Sequence, residues 1–492
     1  MGMTKDKQIR LGVMIGIAVV LVITMIIGIV GFVNYHHTYI SIGGMDYRRD
    51  AGCLDLSGRS IDGVEKLKKL PNLERVDIRD TGLTLEQYQD LQTAMPDCEI
   101  IWSVPFQDGF CSSNMTTLRV DTISEADFAV FQHLPKLKYI KADNCTDYDV
   151  LMKLIEEYPQ LQVSYTVTFS GKQTYNNTQV IYITDPNPEE IRRGLRYLPD
   201  VTTVNFKGEL PEVEELIALQ QEFPEILFYW EFALFGVPVN TTVEFIDLSG
   251  AKIADIEELE RYLPCFYNLT HVDMVDCGVS NEKMAILRDR HPEIKIVWAV
   301  DIWGIPVRTD AKYFMPAKLH LARNGSLKDM KYCTEMAVLD FGHYHLTDVS
   351  FIEYMPNLEY LLLCEAAFTD VSVIGNCTSL VTLELFKSRI TDFWPLTNLT
   401  NLRNLNLCKT PALDDEHVGA FGDPTPLLQM TWLDRLWLTW IHVSSETRVE
   451  LRETLSHTEI VYYHENSSVK NGWRHSYDYY YHRDVMGMYY MT

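Results

Sequence analysis

Apolar residues across 336–410 keep a fixed register. Leu339, Leu361, Leu383 and Leu405 are 22 residues apart, and so are Leu358, Leu380 and Leu402. The tripeptides LTD (346–348), FTD (368–370) and ITD (390–392) share that interval. Each unit reads L-x-(L/F), a turn, a buried apolar residue, Thr-Asp, and one more apolar position before the next unit. The alternation predicts a short strand with one face turned inward. One such unit cannot cover its own apolar face. Stacked units make a continuous core with a parallel strand ladder on one side.

The N-terminal half has a longer period. LDLSGRSI (54–61) matches IDLSGAKI (246–253), and LPNLERVDIRDTGL (70–83) matches LPCFYNLTHVDMVDCGV (263–279) with three inserted residues. Amphipathic helices follow, LEQYQDLQTAM and NEKMAILRDRH, and then the closing strands PDCEIIW (96–102) and PEIKIVW (292–298). YPQLQVSY (158–165) and FPEILFYW (223–230) are weaker copies of the closure. The closing prolines Pro96, Pro159, Pro224 and Pro292 are 63, 65 and 68 residues apart, which predicts four composite units of about 64 residues over 51–310. Each ends where Pro stops the helix and an alternating strand begins. FALFGVPV (232–239) and VDIWGIPV (300–307) then read as strand, Gly-containing turn and return strand.

With these features in view, the chain resembles the leucine-rich repeat family. LELFKSRITDFWPLTNLTNLRNLNL (383–407) is similar to the 22-residue internalin repeats, and the longer units to the ribonuclease-inhibitor style. The resemblance implies an α/β leucine-rich repeat solenoid with a parallel strand ladder and a concave strand face. One position departs from the pattern: the inward Asn that bonds the turn backbone is replaced by Tyr344, Ala366 and Ser388. Their backbone groups need other partners. Together with an N-terminal anchor, the GWR…HRD…YM ending resembles uncharacterised membrane-anchored repeat proteins of Gram-positive anaerobes, which implies no activity.

The anchor is Leu11–Val33, 23 residues without a charge, enough to cross about 30 Å of hydrocarbon. Lys5, Lys7 and Arg10 precede it, against one acid, Asp6. The positive-inside rule puts residues 1–10 in the cytoplasm and the chain after a 34–50 linker outside, although Arg48 and Arg49 soften the contrast. A connector is expected at 311–335, between the long units and the 22-residue block. From 411 the register is lost, and 411–492 is expected to form a C-terminal cap and Tyr-rich tail covering the open end of the core. The net charge of −25 excludes nucleic acid as a partner, because binding phosphates needs Lys and Arg.

Candidate chemistry is sparse. Of ten cysteines, Cys145 and Cys277 occupy inward repeat positions, Cys364 and Cys408 lie two rungs apart, and Cys98–Cys111, flanking an expected hairpin, is the one disulfide pair proposed. Nine N-x-S/T sequons occur, at Asn114, Asn144, Asn176, Asn240, Asn268, Asn324, Asn376, Asn398 and Asn466; N-L-T is also part of the repeat pattern. His343 and His345 in GHYHLTD lack a third ligand at metal-site spacing, so no metal and no cofactor are expected. The sequence contains no nucleophile elbow, P-loop, dinucleotide fingerprint or H-E-x-x-H.

What remains is a surface. Residues flanking the inward leucine point away from the core. On the 22-residue block these are Tyr360, Leu362, Thr382, Glu384, Phe386, Asn404 and Asn406, with Cys364 and Cys408; on the long units they include Arg75, Asp77, Arg79, Tyr139, Lys141, His271 and Asp273. Outward Leu362 and Phe386 are unusual on a solvated ladder and mark an interaction site. The reading is a single-pass cell-membrane protein that binds an extracellular protein or glycan through this concave face and is not an enzyme. A scaffold role at the envelope, or an enzyme site in the Tyr/His-rich tail, are the alternatives.

Overall fold

The computed structural model describes residues 4–60, 62–169, 171–316, 327–413, 417, 419 and 422–485. The sequon at Asn324, the middle of the expected connector and the last seven residues of the tail lie outside these. The chain divides into two compact units, Met1–Pro211 with Phe223–Leu227, and Glu212–Glu222 with Phe228–Thr492. The division falls inside the third 64-residue stretch, not at the expected connector. In the second unit one apolar core runs from Leu234 through Phe314, Leu327, Met330 and Met336 to Leu455, so the described residues at the two ends of the connector are packed into it.

The first unit begins with the helix Lys5–Thr38, which extends past Leu11–Val33 at both ends and buries none of its side chains. It is long and apolar enough to cross a membrane. Beyond it, short parallel strands stack in threes: Cys53–Asp55, Arg75–Asp77 and Glu99–Ile101, then Thr117–Arg119, Tyr139–Lys141 and Gln162–Ser164. The third strand of each set is the Pro-preceded closure. An antiparallel hairpin follows it, Ser103–Phe106 with Gly109–Ser112, then Thr166–Phe169 with Lys172–Tyr175. Cys111 lies on the first of these hairpins opposite Val104, whereas Cys98 precedes the ladder strand Glu99–Ile101. Both are free thiols, as are the other eight cysteines, so the proposed disulfide is not formed.

In the second unit the same scheme recurs, with hairpins Glu231–Leu234/Val237–Asn240 and Ala299–Ile302/Ile305–Arg308. Their turn residues Phe235 and Gly236, and Trp303 and Gly304, all have positive φ, the type I′ geometry that matches strand twist. Trp303 is held there by packing on Phe341 and Tyr344, with ring centroids at 5.7 and 5.4 Å. The closing aromatics Trp102, Tyr165, Trp230 and Trp298 are fully buried. A polar side chain after the hairpin ties back to this point: Trp102 N donates to Ser113 Oγ (3.0 Å), Tyr165 N to Asn176 Oδ1 (3.1 Å) and Trp298 N to Thr309 Oγ1 (3.2 Å). The sequon residue Asn176 is thus a buried structural clip.

The 22-residue block forms a seven-stranded parallel ladder: Tyr313–Phe314, Val338–Asp340, Tyr360–Leu362, Thr382–Glu384, Asn404–Asn406, Arg435–Trp437 and Glu459–Val461. Leu339, Leu361, Leu383, Leu405, Leu436 and Ile460 are in direct register and face the core. The ladder therefore continues for two rungs past 411, where the regular spacing ends. The missing turn Asn is replaced piecemeal. Tyr344 Oη donates to Pro316 O (2.9 Å), Ala367 N to Leu346 O (2.8 Å) and Ser388 N to Thr410 Oγ1 (3.2 Å).

Two rungs approach closely at Gly375, where an added Cβ would lie 2.4 Å from Pro395 O. Gly375→Ala must separate two backbones and should cost about 1–3 kcal/mol. Denaturant titration is expected to show a lower midpoint with an unchanged slope; an unchanged midpoint would contradict this packing.

Candidate functional site

On the ladder face away from the core, two rows run from strand to strand. Val338, Tyr360, Thr382, Asn404 and Arg435 form one, and Asp340, Leu362, Glu384, Asn406 and Trp437 the other. All seven expected surface residues stand on or beside these rows. They are not open to solvent as the alternation implied. Tyr360, Leu362, Glu384, Asn404 and Asn406 are only 2–6% exposed, and Thr382 and Phe386 are half-buried.

The chain's own tail covers them. The last ladder strand leads through the polar stretch ENSSVKNG (465–472) to a turn at Trp473–His475 and the helix Tyr477–Val485. Gly472 is required at the bend, because a Cβ would sit 2.3 Å from Ser467 O. Ser476 caps the helix by accepting from Tyr479 N at 3.3 Å. Ser476, Tyr479 and His482, at helical spacing, are buried, while Tyr477, Tyr480 and Tyr481 face out. Of the region 411–492 expected to form a cap and tail, the described residues Trp473 and Tyr479 thus pack on the ladder face rather than over the end of the core. At that end, Tyr462 packs on the core with Arg448 4.8 Å above its ring.

Two aromatic anchors make the contact. Tyr479 completes an apolar cluster with Val338, Tyr360 and Leu362, and the His482 ring lies 4.1 Å from that of Tyr360. Trp473 packs with Cys408, Trp437, Val461 and Phe386, its ring 5.2 Å from Phe386. Between them Asn404 Nδ2 donates to Asp478 Oδ2 at 2.6 Å, and Trp437 Nε1 donates to Asn471 O at 2.9 Å. Leu362 and Phe386 are thus each half of an apolar contact that the tail completes.

Polar groups in this contact are less well matched. Asn406 Nδ2 is buried without a hydrogen-bond partner, a cost of about 1–3 kcal/mol. Burial pushes the Glu384 carboxyl up to about 7, Asp340 adds to the rise, and Cys364, Arg474 and the nearby Trp473 indole oppose it. Cys364 Sγ donates to Glu384 Oε1 at 3.0 Å. Burial also raises Asp340, against its bond from Gly342 N and the charges of Arg483, His343 and Arg474.

Nucleophilic chemistry finds no footing here. Cys408 Sγ lies 4.0 Å from His464 Nε2, but burial pushes the thiol up to about 12 and lowers the imidazole, so both stay neutral at physiological pH. At the ladder edge, Glu365 lies 3.4 Å from His343 Nδ1 and 3.7 Å from His345 Nε2, a neighbour that sequence spacing did not reveal because it comes from the next rung. Lys387 Nζ takes its other oxygen at 3.3 Å. Among the described residues no group of three or more side chains is placed to hold a metal ion.

No protein-family model matches the sequence, and no curated protein matches it. Among solved structures, internalin C2 of Listeria monocytogenes is similar over 44% of this chain and 80% of its own, at 19% identity and a TM-score of 0.25. Internalin F of the same organism is similar over 86% and 91%, at 12% identity and 0.23. A leucine-rich repeat protein of Leptospira interrogans is similar over 84% and 96%, at 13% identity and 0.22. With TM-scores this low, the assignment rests on the chain's own register. Inward leucines on successive parallel strands 22 residues apart give it the leucine-rich repeat fold.

Glu384 links the contact to pH. Its carboxyl, ordinarily near 4.5, is raised while the tail covers it. Protonation therefore favours the covered state. That advantage is present at low pH and is lost as pH rises through about 7. Hydrogen exchange of the tail helix, corrected for intrinsic rate, should show protection falling between pH 5 and 8 and a flatter profile in Glu384→Gln. Equal profiles for the two would contradict the linkage.

Proposed function

We propose that this protein is a membrane-held binding protein whose ladder face takes a segment of a partner protein. One observation carries this reading: the face already holds a polypeptide segment, its own residues 473–485, through two aromatic side chains seated in apolar clusters. A surface that orders a short helix this way has the chemistry of a peptide-binding groove. The helix Lys5–Thr38 supplies the anchor, with the short N-terminal end cytoplasmic and the repeats outside. A protein partner is favoured over a glycan because the contacts are closed, apolar and made by aromatic side chains.

No catalytic role is assigned. The tail's Tyr479 and His482 are spent on packing against Tyr360, and the neutral Cys408–His464 pair is sealed from substrate. The ladder face should act as a binding surface in the intact, membrane-inserted chain. A photo-crosslinking side chain at position 382 is expected to join a partner protein, and Leu362→Asp to reduce that adduct 10- to 100-fold, as for loss of a central anchor. An undiminished adduct in Leu362→Asp would place binding elsewhere.

A further inference from the structure

The tail that occupies the ladder face is attached in a way that lets it leave. Its anchors form two small clusters of their own, separate from the continuous repeat core, so detaching them opens no gap in that core. The stretch that tethers it, 465–472, is mostly exposed. The contact also leaves the Asn406 side-chain nitrogen buried and unpartnered. A surface selected only to be closed would pair it. The fit is good enough to order the helix and poor enough to be exchanged.

The two anchors define the kind of segment that would replace it. Trp473 fills the cluster of Cys408, Trp437, Val461 and Phe386, and Tyr479 fills that of Val338, Tyr360 and Leu362. A competitor must fill the same two apolar clusters.

We infer that residues 473–485 are a tethered stand-in for an external ligand, and that the ladder face takes peptide segments carrying two aromatic side chains six residues apart. This rests on the reading of the face as a peptide-binding surface and adds the ligand's chemistry and its regulation. The tail sets a threshold. A tethered segment acts at an effective concentration of about millimolar, so only a ligand that binds well below that displaces it.

The test uses the full chain in detergent and a labelled synthetic peptide of its own residues 470–485. Wild type should bind the peptide weakly. Trp473→Ala/Tyr479→Ala, which removes both tail anchors, should bind at least tenfold tighter, and Leu362→Asp added to that variant should abolish binding. Gly472→Ala, which displaces the tail by its clash with Ser467 O but keeps the anchor residues, should also bind more tightly and stands in should the double variant not fold. A peptide with Trp473→Ala and Tyr479→Ala should bind at least tenfold more weakly. Equal binding by wild type and both tail variants would overturn the tethered stand-in. Equal binding of the two peptides would overturn the two-aromatic preference and leave peptide binding standing. Failure of a folded tail variant to bind either peptide would overturn the peptide-binding reading itself.

Discussion

Everything in the second unit depends on one constraint: a three-residue strand can bury only its central side chain. Leu339, Leu361, Leu383 and Leu405 go inward, and no rung closes a core without the rungs beside it. The same constraint turns the flanking residues outward on every rung. Two rows of side chains therefore line up at strand spacing, whatever those side chains are. A repeat selected for its core produces a flat, ordered surface as a by-product, and the outward residues are free to be chosen for recognition.

In this chain they are chosen unusually. Tyr360, Leu362, Phe386 and Trp437 are apolar where a solvated ladder would carry charges, and Asp340 and Glu384 sit among them. Such a surface in water needs a cover. The tail supplies one, and the two acids become the weak point of the cover, since burial makes their charged forms costly. Apolar anchors hold the segment in place while the buried acids and the unpaired Asn406 side chain work against it. That opposition is what makes the occupancy adjustable.

Much of the fold was legible in the sequence because it repeats. The 22-residue spacing located the inward leucines, and the Pro-led closures located the strand before each hairpin. Trp230, conspicuous in FPEILFYW, proved to be a buried closing aromatic alongside Trp102 and Trp298. Alternation also identified Leu362 and Phe386 as outward. What alternation could not show is that something covers them. The covering residues lie far along the chain, 74 positions separating Asn404 from Asp478, and no period connects them. The tail did carry a signal in Ser476, Tyr479 and His482 at helical spacing, an amphipathic stripe needing a partner surface. The ladder likewise ran on past 411 unseen, because irregular spacing hid Leu436 and Ile460.

The central claim is that the tail lies on the ladder face and can leave it. Thiol footprinting reads this directly, because Cys364 stands on the covered face and Cys377 faces the core. With a small alkylating reagent followed by mass spectrometry, Cys364 should react at least tenfold faster once Trp473 and Tyr479 are replaced by Ala, while Cys377 stays unchanged. If Cys364 reacts no faster in that variant, the tail does not cover the face and the account fails.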